Sequence, residues 1–371
     1  GYAAALGKPL IIHTRDAHAH ALKEVDAAGL AVAARPEQVA AILNEHFVPI
    51  KVDREELPDI DAQYMLATQA YYALSGNPRG GGWPNSVWLM PDGRPFFAGT
   101  YFPKPQFIAV LNRLHDLWTN EPDQVAHNAQ IITQYMQELS GLNDAADTKL
   151  NAGLIDRAVD FAKRRFDATH GGFGGAPKFP PHGTLGLLAT AYQRTDDDEL
   201  LAMYTATLDA MQRGGIYDHV GGGFHRYATD GHWFLPHFEK MLYDNAQLIT
   251  AYTDGYRSTR NDHYRRVIAE TFDWLSREMI DEAGGFYSAL DADSEGEEGK
   301  CYVWHIDEIR DVLGDDAETF ITTYNIKPDG NWVDEAGGHQ PGTNIPHLSE
   351  EVDDTLPELR DKLRAIRDRR I

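Results

Sequence analysis

The spacing of apolar and polar residues divides the chain into two parts of different character. Before residue 140, short apolar runs of the strand type alternate with stretches in which apolar residues recur every three or four positions. The strand candidates are "KPLIIHT" and "FVPIKVD", and the helix candidates are "RPEQVAAILNEH", "DIDAQYMLATQAYYAL" and "FIAVLNRLHDLWTN". Two further strands in "GGGWPNSVWLMPDGRPFFAGTYF" are separated by "PDG", which is typical of a hairpin turn. This order predicts a layered α/β domain.

Helical spacing dominates from Leu150 onward. The predicted helices are Ala152–Phe166, Thr184–Arg194, Leu200–Arg213, Phe238–Ser258, Tyr264–Glu278 and Thr355–Arg370. Glycine-rich loops of one kind recur between them, and Gly172, Gly223 and Gly285 mark three of these loops. Helical hairpins that repeat at this interval predict stacked helix pairs, in a solenoid or in a closed α/α toroid. We therefore expect one domain over residues 1–142 and another over residues 150–371, joined by a small polar linker.

Composition narrows the classes of function. The length of 371 residues favours two domains, and the formal net charge of −23 argues against a nucleic-acid partner, which would need a basic face. No apolar run approaches the roughly 20 residues that span a bilayer, so no membrane partner is expected, and no signal peptide is recognisable. Cys301 is the only cysteine, which excludes an intramolecular disulfide and a dithiol site and fits a cytoplasmic location.

Five longer motifs carry a resemblance that runs from about Asn44 to about Leu348. They are "FVPIKVDREELPDIDAQYM", "GGGWPNSVWLMPDGRPFFAGTYFP", "GGFGGAPKFP", "GGIYDHVGGGFHRYATDGHWFLPHFEKMLYDNAQL" and "GGFYSALDADSEGEEGKCYVW". These motifs resemble an uncharacterised family that includes the spermatogenesis-associated protein 20 homologues. The resemblance implies a multidomain α/β plus all-α protein, in which a thioredoxin-like domain is followed by a six-hairpin glycosidase-like α/α toroid.

The chain departs from this family in two places. The family has a Cys-His-Trp-Cys-His stretch after the first strand, whereas "HTRDAHAHALKEV" stands here, so the thioredoxin-like domain is expected to lack C-x-x-C and redox activity. The family's toroids use six hairpins and this chain supplies about four, so an incomplete toroid is expected. Either the chain is a fragment, or another copy in a homo-oligomer completes the ring. Pro84 stands where thioredoxin-like domains carry a structural cis-proline.

The histidines of the opening stretch allow a different hypothesis. His13, His18 and His20 follow the first apolar run, and "GKPLIIHTRDAHAHALKEV" resembles one strand of the TatD-type metal-dependent hydrolases, in which a strand-end histidine binds metal. The further ordered ligands of such a hydrolase are missing from the sequence. The alternative is a polar loop and helix start, with Asp16 as the N-cap.

The densest group of reactive side chains lies in "HWFLPHFEKMLYDNAQL", residues 232–248. His237 is expected to act as a general acid or base in a sugar pocket, with Glu239 or Asp244 shifting its pKa. The alternative is a hydrogen-bonded cluster that caps a helix and has no catalytic role.

A second acidic segment, "SALDADSEGEEGK", begins like a calcium loop, because Asp291, Asp293 and Glu295 alternate before Gly296. The twelfth position of such a loop would be Tyr302, where calcium requires a glutamate, so no metal site is predicted here. Asp291 and Asp293 are instead expected to serve as acid and base on a sugar.

These motifs predict a carbohydrate-active protein of the sugar isomerase, epimerase or glycoside hydrolase type, with a small-molecule or oligosaccharide substrate and no cofactor. The expected catalytic residues, which should meet in one cavity at the toroid mouth, are His237, Glu239, Asp244, Asp291 and Asp293. The expected substrate-binding residues are Trp233, Tyr243, Asn245, Tyr287, His225 and Arg226. The remaining hypothesis is a non-catalytic binding or scaffold protein, which an open ring favours because it cannot exclude water.

Overall fold

The computed structural model describes residues 7–15, 36–54, 56–76, 80–141, 151, 153–333, 342–352 and 355–370. The chain separates into two compact units, Gly1–Lys149 and Leu150–Ile371. Within the described ranges, no helix has the length and apolar character needed to cross a membrane.

The first unit is built on a four-stranded sheet. Its strands are β1 (Leu10–Arg15), β2 (Val48–Asp53), β3 (Asn85–Leu89) and β4 (Pro95–Gly99), in the spatial order β2-β1-β3-β4. β1 is parallel to β2, whereas β3 is antiparallel to both β1 and β4. Parallel strands need a crossover connection, and the one between β1 and β2 includes helix α1 (Pro36–His46). The predicted turn at "PDG" joins β3 to β4.

Three more helices complete the described part of this unit: α2 (Pro58–Leu74), α3 (Lys104–Asn120) and α4 (Pro122–Gly141). α4 packs against α2 and β4. All five residues of β3 are buried, including the polar Asn85 and Ser86 at its start. The Trp83-Pro84 peptide bond at the start of β3 is cis, at the position expected for a cis-proline.

The second unit is mostly helical. Its helices are α5 (Gly153–Arg165), α6 (His182–Thr195), α7 (Asp198–Arg213), α8 (Leu242–Thr259), α9 (Asp262–Glu278), α10 (Ile306–Leu313), α11 (Ala317–Thr323) and α12 (Pro357–Arg367). Successive helices pair, since α6 packs on α7 and α8 packs on α9. Buried tyrosines join the pairs: the hydroxyl of Tyr204 donates to the carbonyl of Ala251, and that of Tyr252 donates to the carbonyl of Leu208.

Six two-residue strands lie in the loops between these helices: β5 (Tyr227–Ala228), β6 (Pro236–His237), β7 (Lys240–Met241), β8 (Ala289–Leu290), β9 (Asp293–Ser294) and β10 (Glu297–Glu298). They pair as β5–β6, β7–β8 and β9–β10, all antiparallel. The predicted helix start at Phe238 is therefore wrong. Residues 236–241 pair with distant strands, and α8 begins only at Leu242.

Three glycine loops connect the helices: loop 1 (residues 167–178), loop 2 (residues 218–224) and loop 3 (residues 281–286). In loop 1, Nζ of Lys178 lies 2.6 Å from Oδ2 of Asp167 and 2.8 Å from the carbonyl oxygen of Gly171. This lysine is only 2% exposed. Its charge is therefore paired inside the protein and not solvated.

Loop 2 repeats this arrangement. Nζ of Lys240 lies 2.7 Å from Oδ2 of Asp218 and 2.8 Å from the carbonyl oxygen of Gly222. The ring of Trp274 covers Gly223, where an added Cβ would meet the ring at 2.7 Å. The φ of Gly223 is 79°, a conformation that favours glycine. Loop 1 has the same contact, between Gly172 and Trp233.

Loop 3 keeps the backbone pattern but has no buried lysine. The N–H of Asp281 donates to the carbonyl of Gly285, as the corresponding aspartates do in the other loops. Lys300, by contrast, is exposed and pairs with Glu295 and Glu297. In the described part of the chain, the sequence repeat thus corresponds to two full copies and one partial copy.

The last helix, α12, returns to loop 2. Nη1 of Arg367 lies 2.8 Å from both carboxylate oxygens of Asp218, so this aspartate binds two buried cations, Arg367 and Lys240. Burial alone would raise the pKa of Asp218, but these two cations hold it well below its usual value. A second arginine of α12, Arg360, lies 2.8 Å from Oε1 of Glu270 on α9.

Candidate functional site

An aromatic stack lies on the hairpin formed by β5 and β6. Tyr227 pairs with His237 across this hairpin, and their rings stack with centroids 5.0 Å apart. The ring of Phe179 stacks on Tyr227 at 4.5 Å. Phe179 is 45% exposed and Tyr243, nearby, is 47% exposed. We call Phe179, Arg226, Tyr227, His237 and Tyr243 the His237 surface.

Arg226 links this surface to a buried histidine–aspartate pair. Its guanidinium carbon lies 5.1 Å from the ring centroid of Phe179 and 5.3 Å from that of Tyr243, as in cation–π contacts. Its Nη1 donates to Oδ2 of Asp244 at 2.8 Å. Oδ1 of Asp244 lies 3.0 Å from Nε2 of His182. Nδ1 of His182 is buried and has no hydrogen-bond partner among the described residues.

At the other end of the stack, His237 pairs with a glutamate. Its Nδ1 lies 2.6 Å from Oε1 of Glu298, which belongs to β10. Burial lowers the pKa of His237, but the carboxylates of Glu298, Glu239 and Asp293 offset this effect and leave the pKa above its usual value. A larger fraction of His237 is therefore protonated near neutral pH than of an exposed histidine.

The acidic segment that begins like a calcium loop forms the β9–β10 hairpin. Glu295 and Gly296 at its turn have φ of 52° and 80°, as a type I′ turn requires. Oδ1 of Asp291 accepts the N–H of Asp293. Burial, Asp291 and Glu298 together raise the pKa of Asp293, which favours its protonated form. The hairpin explains how Glu298 reaches His237.

Three of the predicted substrate-binding residues are buried parts of the scaffold. Trp233 is 0% exposed and lies over a glycine of loop 1. Asn245 uses both polar atoms to bind the backbone of Phe224, with Oδ1 accepting at 2.7 Å and Nδ2 donating at 3.0 Å. His225 donates from Nδ1 to the carbonyl of Phe238, and burial lowers its pKa to about 3. Their burial corrects the prediction that these residues contact substrate.

The other predicted residues lie closer to solvent. Glu239 is half-buried, and its carbonyl accepts the N–H of Arg226. Tyr287 is 51% exposed and donates its N–H to the carbonyl of Met279 at the end of α9. The expected convergence of these residues on one cavity lined by Trp233 and Tyr287 stays a prediction. The structure gathers a subset of the predicted residues on the His237 surface.

Sequence reasoning missed four members of this arrangement: Phe179, His182, Tyr227 and Glu298. Tyr227 lies opposite His237 in the β5–β6 pair, and Glu298 lies opposite Asp293 in the β9–β10 hairpin. The turn residues of these two hairpins could have indicated both positions. Phe179 and His182 follow loop 1, more than forty positions before His237. Nothing in the local pattern points to that contact.

The histidine cluster of the opening stretch is only partly described. His13 lies within β1, is 5% exposed, and its Nδ1 lies 3.0 Å from Oγ of Ser86 on the adjacent strand. His18 and His20 fall outside the described residues, so the metal hypothesis for the three histidines stays a prediction. Among the residues that are described, no group of three or more potential ligands could hold a metal ion.

Two family models match the chain. Residues 31–137 match a thioredoxin-related model described as "Protein of unknown function, DUF255". Residues 1–47 match the model "Nucleoside 2-deoxyribosyltransferase YtoQ". The stretch "HTRDAHAHALKEV", where the family's dithiol is missing, lies inside the second match and before the first.

Curated relatives cover most of the chain. Human spermatogenesis-associated protein 20 is 39% identical over 296 residues, which is 75% of this chain and 37% of the human protein. The mouse protein of the same name is 38% identical over the same shares. Uncharacterized protein B0495.5 of Caenorhabditis elegans is 36% identical over 321 residues, 81% of this chain and 42% of that protein. The chain thus spans well under half the length of these relatives, and the resemblance to the family is confirmed.

Solved structures show partial likenesses. A sugar epimerase from a ruminal bacterium is 18% identical and has a TM-score of 0.32, with 41% of this chain and 43% of that chain covered. Cellobiose 2-epimerase from Bacillus thermoamylovorans is 15% identical and has a TM-score of 0.33, with 38% of this chain and 40% of that chain covered. A D-mannose isomerase is 17% identical and has a TM-score of 0.28, with 50% of this chain and 45% of that chain covered.

Proposed function

The chain is a homologue of spermatogenesis-associated protein 20 over 75% of its length, and from this premise we propose that it is a carbohydrate-active protein of the sugar isomerase or epimerase type. The His237 surface binds the sugar. The second unit is an incomplete α/α toroid of the six-hairpin glycosidase type. The first unit is a thioredoxin-like domain that has lost redox activity.

The topology of the first unit supports the thioredoxin-like assignment. Its described elements follow the order β-α-β-α-β-β-α-α, and its sheet has the order β2-β1-β3-β4 with a single parallel pair. This mixed four-stranded sheet is the arrangement of the thioredoxin fold. The only cysteine, Cys301, belongs to the second unit. The first unit therefore has no thiol with which to exchange a disulfide.

The composition of the His237 surface suits a sugar. The apolar C–H face of a sugar ring packs on exposed aromatic rings, and Phe179 and Tyr243 are each almost half exposed. Sugar hydroxyl groups need hydrogen-bond donors and acceptors around the ring, and Arg226 can donate and Glu298 can accept beside the stack.

The observation that carries the proposal is the presence of a histidine–carboxylate pair at each end of one contact chain. The chain runs from the His182–Asp244 pair through Arg226, Phe179 and Tyr227 to the His237–Glu298 pair. Isomerisation and epimerisation both remove a proton from the carbon beside a carbonyl. Isomerisation then returns a proton to the neighbouring carbon, whereas epimerisation returns it to the opposite face of the same carbon. Two histidines with carboxylate partners are suited to such transfers near neutral pH.

Glycoside hydrolysis is a second candidate, because several carboxyl groups lie beside the stack. Burial, Asp291 and Glu298 raise the pKa of Asp293 above its usual value. The protonated form of such a carboxyl group can donate its proton to the leaving oxygen of a glycosidic bond, with a second carboxylate as base or nucleophile.

Proton NMR of aldoses, ketoses and disaccharides incubated with the protein in deuterated water tests the proposal. An isomerase or epimerase exchanges a proton on the carbon beside the carbonyl for deuterium, at C2 of an aldose and at C1 of a 2-ketose, whereas a hydrolase cleaves the disaccharide without this exchange. We expect exchange to be lost in His237→Ala and in His182→Ala, and to persist in His127→Ala, which alters an exposed histidine of α4.

The non-catalytic hypothesis predicts a different result. A binding protein would take up sugars, as measured by calorimetry, without exchange or cleavage. If no sugar binds at all, the proposal is withdrawn. The native mass, measured in parallel, tells whether a second copy is present to complete the ring.

A further inference from the structure

We infer that the second unit contains a binding pocket, separate from the His237 surface, for a small hydroxylated molecule that carries a phosphate or carboxylate group. The pocket is a cavity of about 770 Å³, within the usual range for small-molecule sites. Loop 1, α7, the β5–β6 connection and two later segments form its walls. None of the five residues of the His237 surface lines it.

Two cations line this cavity without carboxylate partners. Arg213 belongs to α7, and Lys327 lies in the segment after α11. Within the described ranges, neither has a carboxylate at ion-pair distance. Nε of Arg213 donates to the carbonyl of Asp209 at 3.1 Å, which leaves its Nη groups for another partner. Cations grouped in this way stand out in a chain whose net charge is −23, because most of its surface repels anions.

The acid in the cavity wall, Asp209, is held by hydrogen bonds to other side chains. Its Oδ1 accepts from the hydroxyl of Tyr264 on α9 at 2.8 Å and from Nε2 of Gln212 on its own helix at 3.3 Å. Burial raises the pKa of Asp209, and the Tyr264 hydroxyl and the charge of Arg213 offset part of this effect.

His347 offers the cavity an acceptor for a hydroxyl group. Its Nδ1 lies 3.0 Å from the carbonyl oxygen of Ile345, and a carbonyl only accepts, so Nδ1 carries the proton. Burial lowers the pKa of His347, the bond to Ile345 opposes this, and the nearby side chains of Lys327 and His232 lower it further. In the neutral ring, Nε2 can accept from a ligand hydroxyl.

The wall that carries His347 is fixed before any ligand binds. Asn331 exchanges two hydrogen bonds with the backbone of Ile345, at 2.9 Å each. Nδ2 of Asn325 donates to the carbonyl of His347 at 3.0 Å. A pre-formed wall lowers the entropy cost of ordering groups around a ligand.

Calorimetric titration of the full chain with glucose 6-phosphate, glucuronate and glucose tests this inference. We expect at least one of the two anions to bind about tenfold or more tightly than glucose, because a charge-assisted bond is added. The anion that binds tells whether a phosphate or a carboxylate is recognised. Lys327→Gln and Arg213→Gln should each weaken this binding about tenfold, whereas Arg265→Gln, an exposed arginine that pairs with Asp262, should leave it unchanged.

The inference is overturned if neither anion binds, if glucose binds as tightly, or if Lys327→Gln leaves the affinity unchanged. Because Lys327 is exposed, this variant keeps the test valid even where Arg213→Gln disturbs folding. Anion binding should persist in His237→Ala. The pocket and the proposed sugar site can therefore fail independently of each other.

Discussion

Lys178 and Lys240 make equivalent contacts with two successive glycine loops, each with its ammonium group between an aspartate carboxylate and a glycine carbonyl oxygen. Both side chains are almost completely buried. A buried ammonium group without partners would cost several kcal/mol, so each loop depends on its aspartate. The repeat in this part of the chain is therefore a repeat of ion pairs as much as of helices.

Removing the charge of Asp218 should destabilise the second unit more than removing the charge of Lys240. Asp218→Asn leaves Lys240 and Arg367 buried without their bonded carboxylate, and only Glu278, 4.0 Å from Arg367, remains nearby. Losing the partner of a buried charge typically costs about 3–5 kcal/mol. Lys240→Met leaves Asp218 paired with Arg367 and should cost less. Urea unfolding followed by tryptophan fluorescence measures both values. An equal loss of unfolding free energy in the two variants would show that Lys240 and Arg367 do not depend on the carboxylate of Asp218.

A methyl group at Gly223 should also destabilise the protein. The added Cβ would lie 2.7 Å from the ring of Trp274, and φ is 79°, so Gly223→Ala is both crowded and strained. We expect a loss of about 1–3 kcal/mol in the free energy of unfolding. Gly186→Ala is the matched control, because this helical glycine has open space around it and should gain about 0.5–1 kcal/mol.

Acid should unfold the second unit through its paired carboxylates. The pKa values of Asp218 and Glu270 are lowered in the folded state, so their contribution is fully present above the unfolded pKa and is lost as the pH falls through the folded pKa. Unfolding free energy should therefore decline below about pH 4. Asp218→Asn should flatten this decline, whereas Asp311→Asn, on an exposed face of α10, should not.

Glu298→Gln should lower the pKa of His237. Glu298 accepts from Nδ1 of His237 and favours the imidazolium form. The pair therefore contributes its full stabilisation below the pKa that His237 has in the unfolded chain, and this contribution is lost as the pH rises through the higher pKa of the folded protein. NMR titration of the histidine ring protons measures the change. Glu297→Gln, the neighbouring exposed residue of β10, serves as the control, and a similar shift in both variants would contradict a specific pair.

The helices of the second unit could be predicted because their apolar spacing is local. The start of α8 could not be predicted, because residues 236–241 satisfy their backbone groups by pairing with Tyr227 and with strand β8. Such pairing depends on partners elsewhere in the sequence. The helices α10 and α11 were not predicted either, since they are short and follow an acidic, glycine-rich stretch.

The candidate site shows the same division. His237 and Asp244 could be predicted because they lie in one dense group of reactive side chains, residues 232–248, and Arg226 lies shortly before it. Trp233 and Asn245 lie in the same motif but are buried, and their residue types alone do not distinguish a scaffold role from a ligand contact. Lys178 has a sequence context typical of a solvated charge, yet its loop folds over it.

The bond between Asp218 and Arg367 joins residues that are 149 positions apart, and this separation has a consequence during translation. At about 5–20 residues per second, Arg367 leaves the ribosome roughly 7–30 s after Asp218. Until then, the nascent chain has only Lys240 to neutralise this carboxylate. The bond between Arg367 and loop 2 therefore forms well after loop 2 itself has been synthesised. A nascent chain that stalls before α12 exposes a second unit without this bond to chaperones and proteases.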